Sequence, residues 1–134
     1  MFRKPVYYSH KPTPLLGRPY DISIAVVLDC EMTEVEGYQE ELALICVVDF
    51  YTGDVLINSY VQSAKRVTDW ISNTIGVTAA AMDAAVRVGL ALRGWQSAQQ
   101  ALWHYADAET VIIRHSAYHD LRVFRVVHLK IVAP

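Results

Sequence analysis

The sequence predicts an α/β domain built on a mixed sheet, and three features predict it. Residues 22–61 hold three apolar, β-branched runs divided by polar or glycine-bearing breaks, the pattern of an antiparallel meander. Residues 78–132 alternate helix-period stretches with short apolar runs, the pattern of further strands with flanking helices. The first strand runs into Val26-Val27-Leu28-Asp29-Cys30-Glu31-Met32, an apolar segment that closes on two carboxylates one residue apart.

Residues 1–20 carry Pro5, Pro12, Pro14 and Pro19 among Arg3, Lys4, Lys11 and Arg18, with Phe2, Tyr7, Tyr8 and Tyr20 interleaved. Helix is excluded there, and a basic Pro-rich arm or linker is expected ahead of a domain over residues 21–134. Such an arm either touches phosphates and stacks on bases or packs its tyrosines on the domain, and the second is the simpler reading. Ile22–Asp29 reads as the first strand, Thr33–Glu41 as a polar loop around Gly37, and Glu41–Phe50 as the second strand. Tyr51–Asp54 is a turn in which Gly53 tolerates positive φ, and Val55–Val61 is a third, alternating strand.

Ala64–Gly76 reads as irregular. Thr78 caps an alanine-rich helix over Ala79–Val88, and Gly89 and Gly94 bracket a break. A second helix over Trp95–Ala106 aligns Trp95, Ala98, Gln99, Leu102, Trp103 and Ala106 on one stripe, so core packing accounts for both tryptophans. Thr110–Ile113 is a short strand. A helix is then expected through about His128, with Leu121, Phe124, Val127 and His128 buried and Asp120 near its start, where the dipole favours an acid. Lys130–Val132 begins a last strand.

The 134 residues suit one domain, 53% of them hydrophobic. No run approaches the roughly 18 apolar residues of a membrane span, and the early prolines interrupt any signal peptide, so an intracellular protein without a membrane partner is expected. Cys30 and Cys46 both lie in apolar runs and read as small core residues rather than as a disulfide or zinc site. The first 20 residues are basic without an acid, while the remainder carries 8 basic and 14 acidic side chains. That acidic body argues against a nucleic-acid-coating surface and fits acids neutralised by metal ions.

Alternation on a strand turns Asp29 and Glu31 to one face and Cys30 to the other. Two adjacent acids repel each other and resist desolvation, so a hard divalent cation between them is the natural partner. The alternative is a strand end with both acids solvated.

Several stretches, in order, carry a family resemblance: Leu28-Asp29-Cys30-Glu31-Met32, the meander from Glu41-Leu42-Ala43 to Val55-Leu56, Val67-Thr68-Asp69 with Gly76-Val77-Thr78, and Ile113-Arg114-His115-Ser116 with Asp120-Leu121. Together they resemble the Rex-type RNA exonucleases of the DEDDh 3′–5′ exonuclease superfamily, from about residue 24 to the end. The resemblance implies a ribonuclease H-like mixed sheet, incomplete at the C-terminus: a three-stranded antiparallel meander plus parallel strands with flanking helices. It implies Asp29, Glu31 and Asp120 as catalytic metal ligands for Mg2+ or Mn2+, and Met32, Thr33, Arg114 and His115 as substrate contacts. The implied partner is the single-stranded 3′ end of an RNA, and the implied location is nuclear or nucleolar. Two metal ions roughly 3.5–4 Å apart would activate water and stabilise the phosphate, with a histidine as general base.

Two departures shape the expectation. The family's third motif, a histidine followed five residues later by an aspartate, has no counterpart in these residues, and Arg114 stands where the pattern carries glycine. His115 and His119 flank the second motif, but neither is placed by sequence to serve as the base. The 134-residue chain is therefore expected to be an impaired or inactive exonuclease. The alternative is a pseudoenzyme, a non-catalytic interaction or weak RNA-binding module. Its uncovered apolar surface and open sheet edge would favour self-association into a homo-oligomer, with element exchange between copies.

Overall fold

The computed structural model of the chain describes residues 11–13, 22–70, 77–114, 126–128 and 130–132. In chain order the strands are β1 (Lys11–Pro12), β2 (Ala25–Val35), β3 (Gln39–Asp49), β4 (Val55–Gln62), β5 (Val67–Asp69), β6 (Leu92–Arg93), β7 (Val111–Arg114), β8 (Val126–Val127) and β9 (Ile131–Val132). The helices are α1 (Ala79–Arg87) and α2 (Gly94–Tyr105).

β2 is the hub. It pairs antiparallel with β3 along most of its length, in parallel with β7 over Ala25–Leu28, and antiparallel with β5 at its far end. A seven-stranded mixed sheet results, in the order β6-β4-β3-β2-β7-β9, with β5 beside β2. The antiparallel meander β2-β3-β4 forms as the sequence predicts, and the pairs β2-β7 and β7-β9 supply the parallel strands that the resemblance implies.

One sheet face is a closed core. Val26, Leu28 and Cys30 of β2, Ile45 and Val47 of β3, Ile57 and Val61 of β4 and Ile112 of β7 pack with Ala98, Leu102 and Ala106 from α2 and its end. Branched side chains suit a pleated surface, and the i, i+4, i+8 spacing of the alanine–leucine–alanine stripe lets α2 lie close on it. The other face is covered by α1 at one end, where Met82 packs with Ala43 and Val77 while Leu44, Tyr60 and Trp70 close around them. The Thr78 hydroxyl accepts the Ala81 N–H at 3.1 Å, which caps α1.

Three segments depart from expectation. Thr33–Glu41 is mostly hairpin rather than loop, because β2 continues to Val35, β3 begins at Gln39, and only residues 36–38 turn. Gly37 at φ 86° and Tyr38 at φ 57° reverse the chain. The exposed glutamates mimic a loop composition, while Thr33, Val35 and Glu41 beneath them are buried. β5 forms inside the stretch expected to be irregular, since pairing of Val67 with Val35 and of Asp69 with Glu34 supplies order that three residues cannot signal. Val126–Val127 is a strand and not the end of a helix, because it pairs in parallel with Lys11–Pro12, a contact remote in sequence. The rest of the expected helix, from Leu121, lies outside the described residues.

A buried polar knot ties the chain ends to the foot of the sheet. Nε2 of His128 lies 2.6 Å from the Thr110 carbonyl oxygen, to which it must donate. In the neutral ring Nδ1 is then the acceptor for the Thr13 hydroxyl at 2.9 Å. The Thr110 hydroxyl donates to the Ser23 carbonyl oxygen at 2.7 Å and accepts the Asp107 N–H at 3.0 Å. Thr110 is 1% exposed, so water cannot replace those bonds. Thr110→Val keeps the shape and strands a buried donor and acceptor, so it is expected to cost about 1–3 kcal/mol. Urea denaturation measures this, and an unchanged midpoint would remove the knot from the stability of the fold.

Candidate active site

The acid pair is positioned by the buried face beneath it. Val26, Leu28 and Cys30 face α2, so Val27, Asp29 and Glu31 must face the opposite way. Register adds their neighbours: Asp29 lies opposite Cys46, which lies opposite Asn58, and Glu31 lies opposite Leu44, which lies opposite Tyr60. A bulge follows Glu31, where Ala43 is the extra residue on β3. Bulges of this kind re-aim side chains and concentrate near functional sites. Asp29 is exposed and Glu31 half-buried.

The electrostatics of Glu31 reflect burial and a neighbouring like charge. Desolvation raises the Glu31 carboxyl above its ordinary value, and the neighbouring Asp29 charge raises it further. The Cys46 thiol is raised in the same way, by burial first and by Asp29 second. Cys46 is thus a half-buried neighbour of the acids rather than a plain core residue, whereas Cys30 is buried in the core; both are free thiols. Two neighbouring carboxylates, with the proton affinity of Glu31 raised, fit a hard divalent ion in donor type and in sign. Among the described residues no three His, Cys, Asp or Glu side chains gather in one group.

The remaining sequence candidates fall in different places. Met32 packs towards the α2 core, on the face opposite the acids. Arg114 is paired in register with Leu28 and is buried, which puts it on that same core face and away from Asp29. Thr33 returns to the acid-bearing face two residues beyond Glu31 and is buried. Asp120, His115 and His119 lie outside the described residues. Cys46 and Asn58 escaped sequence reasoning, although strand alternation read across the predicted meander would have pointed to them.

A mixed sheet whose central strand presents an acid pair beside a parallel strand is a ribonuclease H-like architecture. Two solved structures share the fold: the Neurospora crassa Pan2 catalytic unit, with TM-score 0.68 and 19% identity over 98% of this chain and 23% of that one, and the Saccharomyces cerevisiae Pan2 exonuclease module in complex with AAGGAA RNA, with TM-score 0.69 and 14% identity over 98% and 24%. The chain belongs to the RNase_T exonuclease family, whose model matches residues 26–132. It is similar to RNA exonuclease 4 of Debaryomyces hansenii, 30% identical over 107 residues that cover 78% of this chain and 36% of that protein. It is also similar to the apoptosis-enhancing nuclease of Rattus norvegicus, 29% identical over 122 residues that cover 90% and 34%. The chain thus spans about a third of the length of these relatives.

The Glu31 shift has a sign that can be measured. Its folded value lies above the ordinary 4.5, so between the two values the folded chain holds this proton more tightly than the unfolded chain does. This contribution to stability is therefore present at low pH and lost as pH rises through that window. In chelator, the wild-type contribution should fall across the window, and Asp29→Asn should flatten that fall and raise the melting temperature at pH 7. Circular-dichroism melts over a pH series test this, and a steeper fall in Asp29→Asn would contradict the coupling.

Proposed function

We propose that this chain supplies the metal-dependent centre of a 3′–5′ exonuclease acting on single-stranded RNA. Asp29 and Glu31 would hold Mg2+ or Mn2+, and Asp120 would add a third carboxylate. The observation that carries the reading is the acid pair: two carboxylates on one face of a central strand, one of them with its proton affinity raised by burial and by the other. A divalent ion held there would activate water and stabilise the charge that builds on the phosphate. The two carboxylates would hold that ion, and the closed core beneath fixes the carboxylates. Family membership supports the reaction class. The names of the relatives, RNA exonuclease 4 and small RNA degrading nuclease 3, support RNA as the substrate class.

A second reading, binding of RNA without turnover, is favoured by one observation. Among the described residues both histidines are placed away from the acids. His128 is held in the knot at the foot of the sheet, and His104 lies on α2, on the other face, with its ring against the edge of Tyr105.

The expected outcome is laddering of 5′-labelled single-stranded RNA in Mg2+ or Mn2+ that disappears in a chain carrying Asp29→Asn and Glu31→Gln. Metal at a hundred times its Kd should also add about 2.7 kcal/mol to wild-type stability and nothing to the double variant. Metal-dependent stabilisation without laddering would indicate a bound ion without turnover, and the absence of both effects selects the second reading. Laddering that survives in the double variant would sink the assignment of the acid pair.

A further inference from the structure

A groove of about 400 Å3 lies at the foot of the sheet, between the β3–β4 turn, the chain leading into β2 and the C-terminal end of α2. Tyr51, Tyr105, Ile24, Leu56, Asp49 and Asp54 wall it, and Leu56 and Tyr105 reach it from the margin of the α2 core. Ile24 precedes Asp29 by five residues, roughly 15 Å along an extended chain, so the groove is remote from the acid pair. Its charge has one sign. No lysine, arginine or histidine lines it among the described residues. The Asp49 carboxylate accepts the Thr52 and Tyr51 N–H groups at 2.9 Å each. The bond from Thr52, then those from Ser23 and Tyr51, hold its carboxyl below the ordinary value, so it is anionic at neutral pH. Asp54 is exposed and stands at the same wall. The end of α2 adds the negative pole of a helix dipole, since Tyr105 is its last residue. The groove is also rimmed by bared apolar surface. Ile24 is 72% and Tyr51 69% exposed, the Phe50 ring stands edge-on to Tyr51 at 5.2 Å, and Val55 is exposed beside Asp54. Exposed apolar side chains gathered in this way, rather than scattered singly, mark an interaction surface.

We infer that this groove docks a partner peptide through one arginine, taken between the tyrosine rings and the two carboxylates, with apolar neighbours of that arginine on Ile24 and Phe50. Charge complementarity selects the occupant. Two carboxylates and a helix C-terminus repel phosphate, which excludes a nucleic-acid strand and an anionic membrane, and they attract a cation. Tyrosine rings add attraction for a cation over their faces. Arginine fits both, because its planar guanidinium stacks on aromatic rings, pairs with carboxylates through several N–H donors and is weakly hydrated. The volume lies within the roughly 300–1,000 Å3 of ligand pockets, room for a long side chain. None of these residues belongs to the acid pair, so the groove stands independently of the exonuclease reading.

The test is a titration of the full chain in EDTA with the peptide acetyl-Gly-Leu-Arg-Leu-Gly-amide and, in parallel, with its citrulline counterpart, which keeps the shape and removes the charge. The ring resonances of Tyr51 and Tyr105 report binding. Saturable shifts with the arginine peptide are expected, with the citrulline peptide weaker by about tenfold or more. Asp54→Asn and Tyr51→Leu, both at exposed positions, should each weaken arginine-peptide binding about two- to fivefold, and added salt should weaken it further. Absence of a saturable shift, equal binding of the citrulline peptide, or unchanged binding in both variants would overturn the site. Self-association of the wild-type chain in sedimentation that Asp54→Asn abolishes would give the groove to a second copy and overturn the peptide partner.

Discussion

The arrangement depends on the alternation of β2 over a closed core. Its even positions from Val26 to Cys30 are buried against α2, and that burial dictates where every odd position points. A slip of one residue would drive Asp29 and Glu31 under the helix and lift Leu28 into solvent. Desolvating two unpaired carboxylates costs several kcal/mol per ion, on top of about 1.5–3 kcal/mol for each exposed aliphatic side chain. Register is therefore specified by the core, and the core presents the acids.

The sheet is completed by contacts remote in sequence. β7 joins β2 in parallel after both helices have passed, and the Val111 N–H donates to the Ile24 carbonyl oxygen at 2.9 Å where that pairing begins. Below it, Thr110 and His128 bind Ser23 and Thr13, so the start of the domain and its last strands share one buried network. A network of this kind contributes fully only when every member is paired. β9 then continues from β7, with Lys130 bridged to Glu109 across the junction.

What the sequence revealed follows from this division between local and remote signals. The apolar runs of Ala25–Leu28 and β3, the alternation of β4, the Thr78 cap, the Gly89 and Gly94 break and the stripe of α2 are local patterns, and each marks its element. The facing of Asp29 and Glu31 followed from the same alternation. The strand at Val126–Val127 exists through Lys11–Pro12, more than 100 residues away, while its apolar spacing alone suits a helix. β5 depends in the same way on Val35. Met32 and Arg114 were linked to substrate by position beside a motif. Met32 follows the alternation that sends it to the core, whereas the burial of Arg114 depends on its register with Leu28.

The acid pair holds two like charges together at a cost to local stability. Replacing Asp29 by a neutral residue would ease the Glu31 carboxylate, yet the fold brings the two acids together and adds the half-buried Cys46 thiol beside them. A folded domain tolerates such repulsion because the opposite face of the same strand is closely packed, and a cation bound there, as proposed, would relieve it. Stronger coupling would raise the proton affinity of Glu31 until protons competed with metal near neutral pH. Placing Asp29 in solvent and leaving Glu31 only half-buried limits that competition, since water screens the pair while both carboxylates stay on one face. Under the proposed reading, the exposure of Asp29 would favour a divalent ion over protons at this pair.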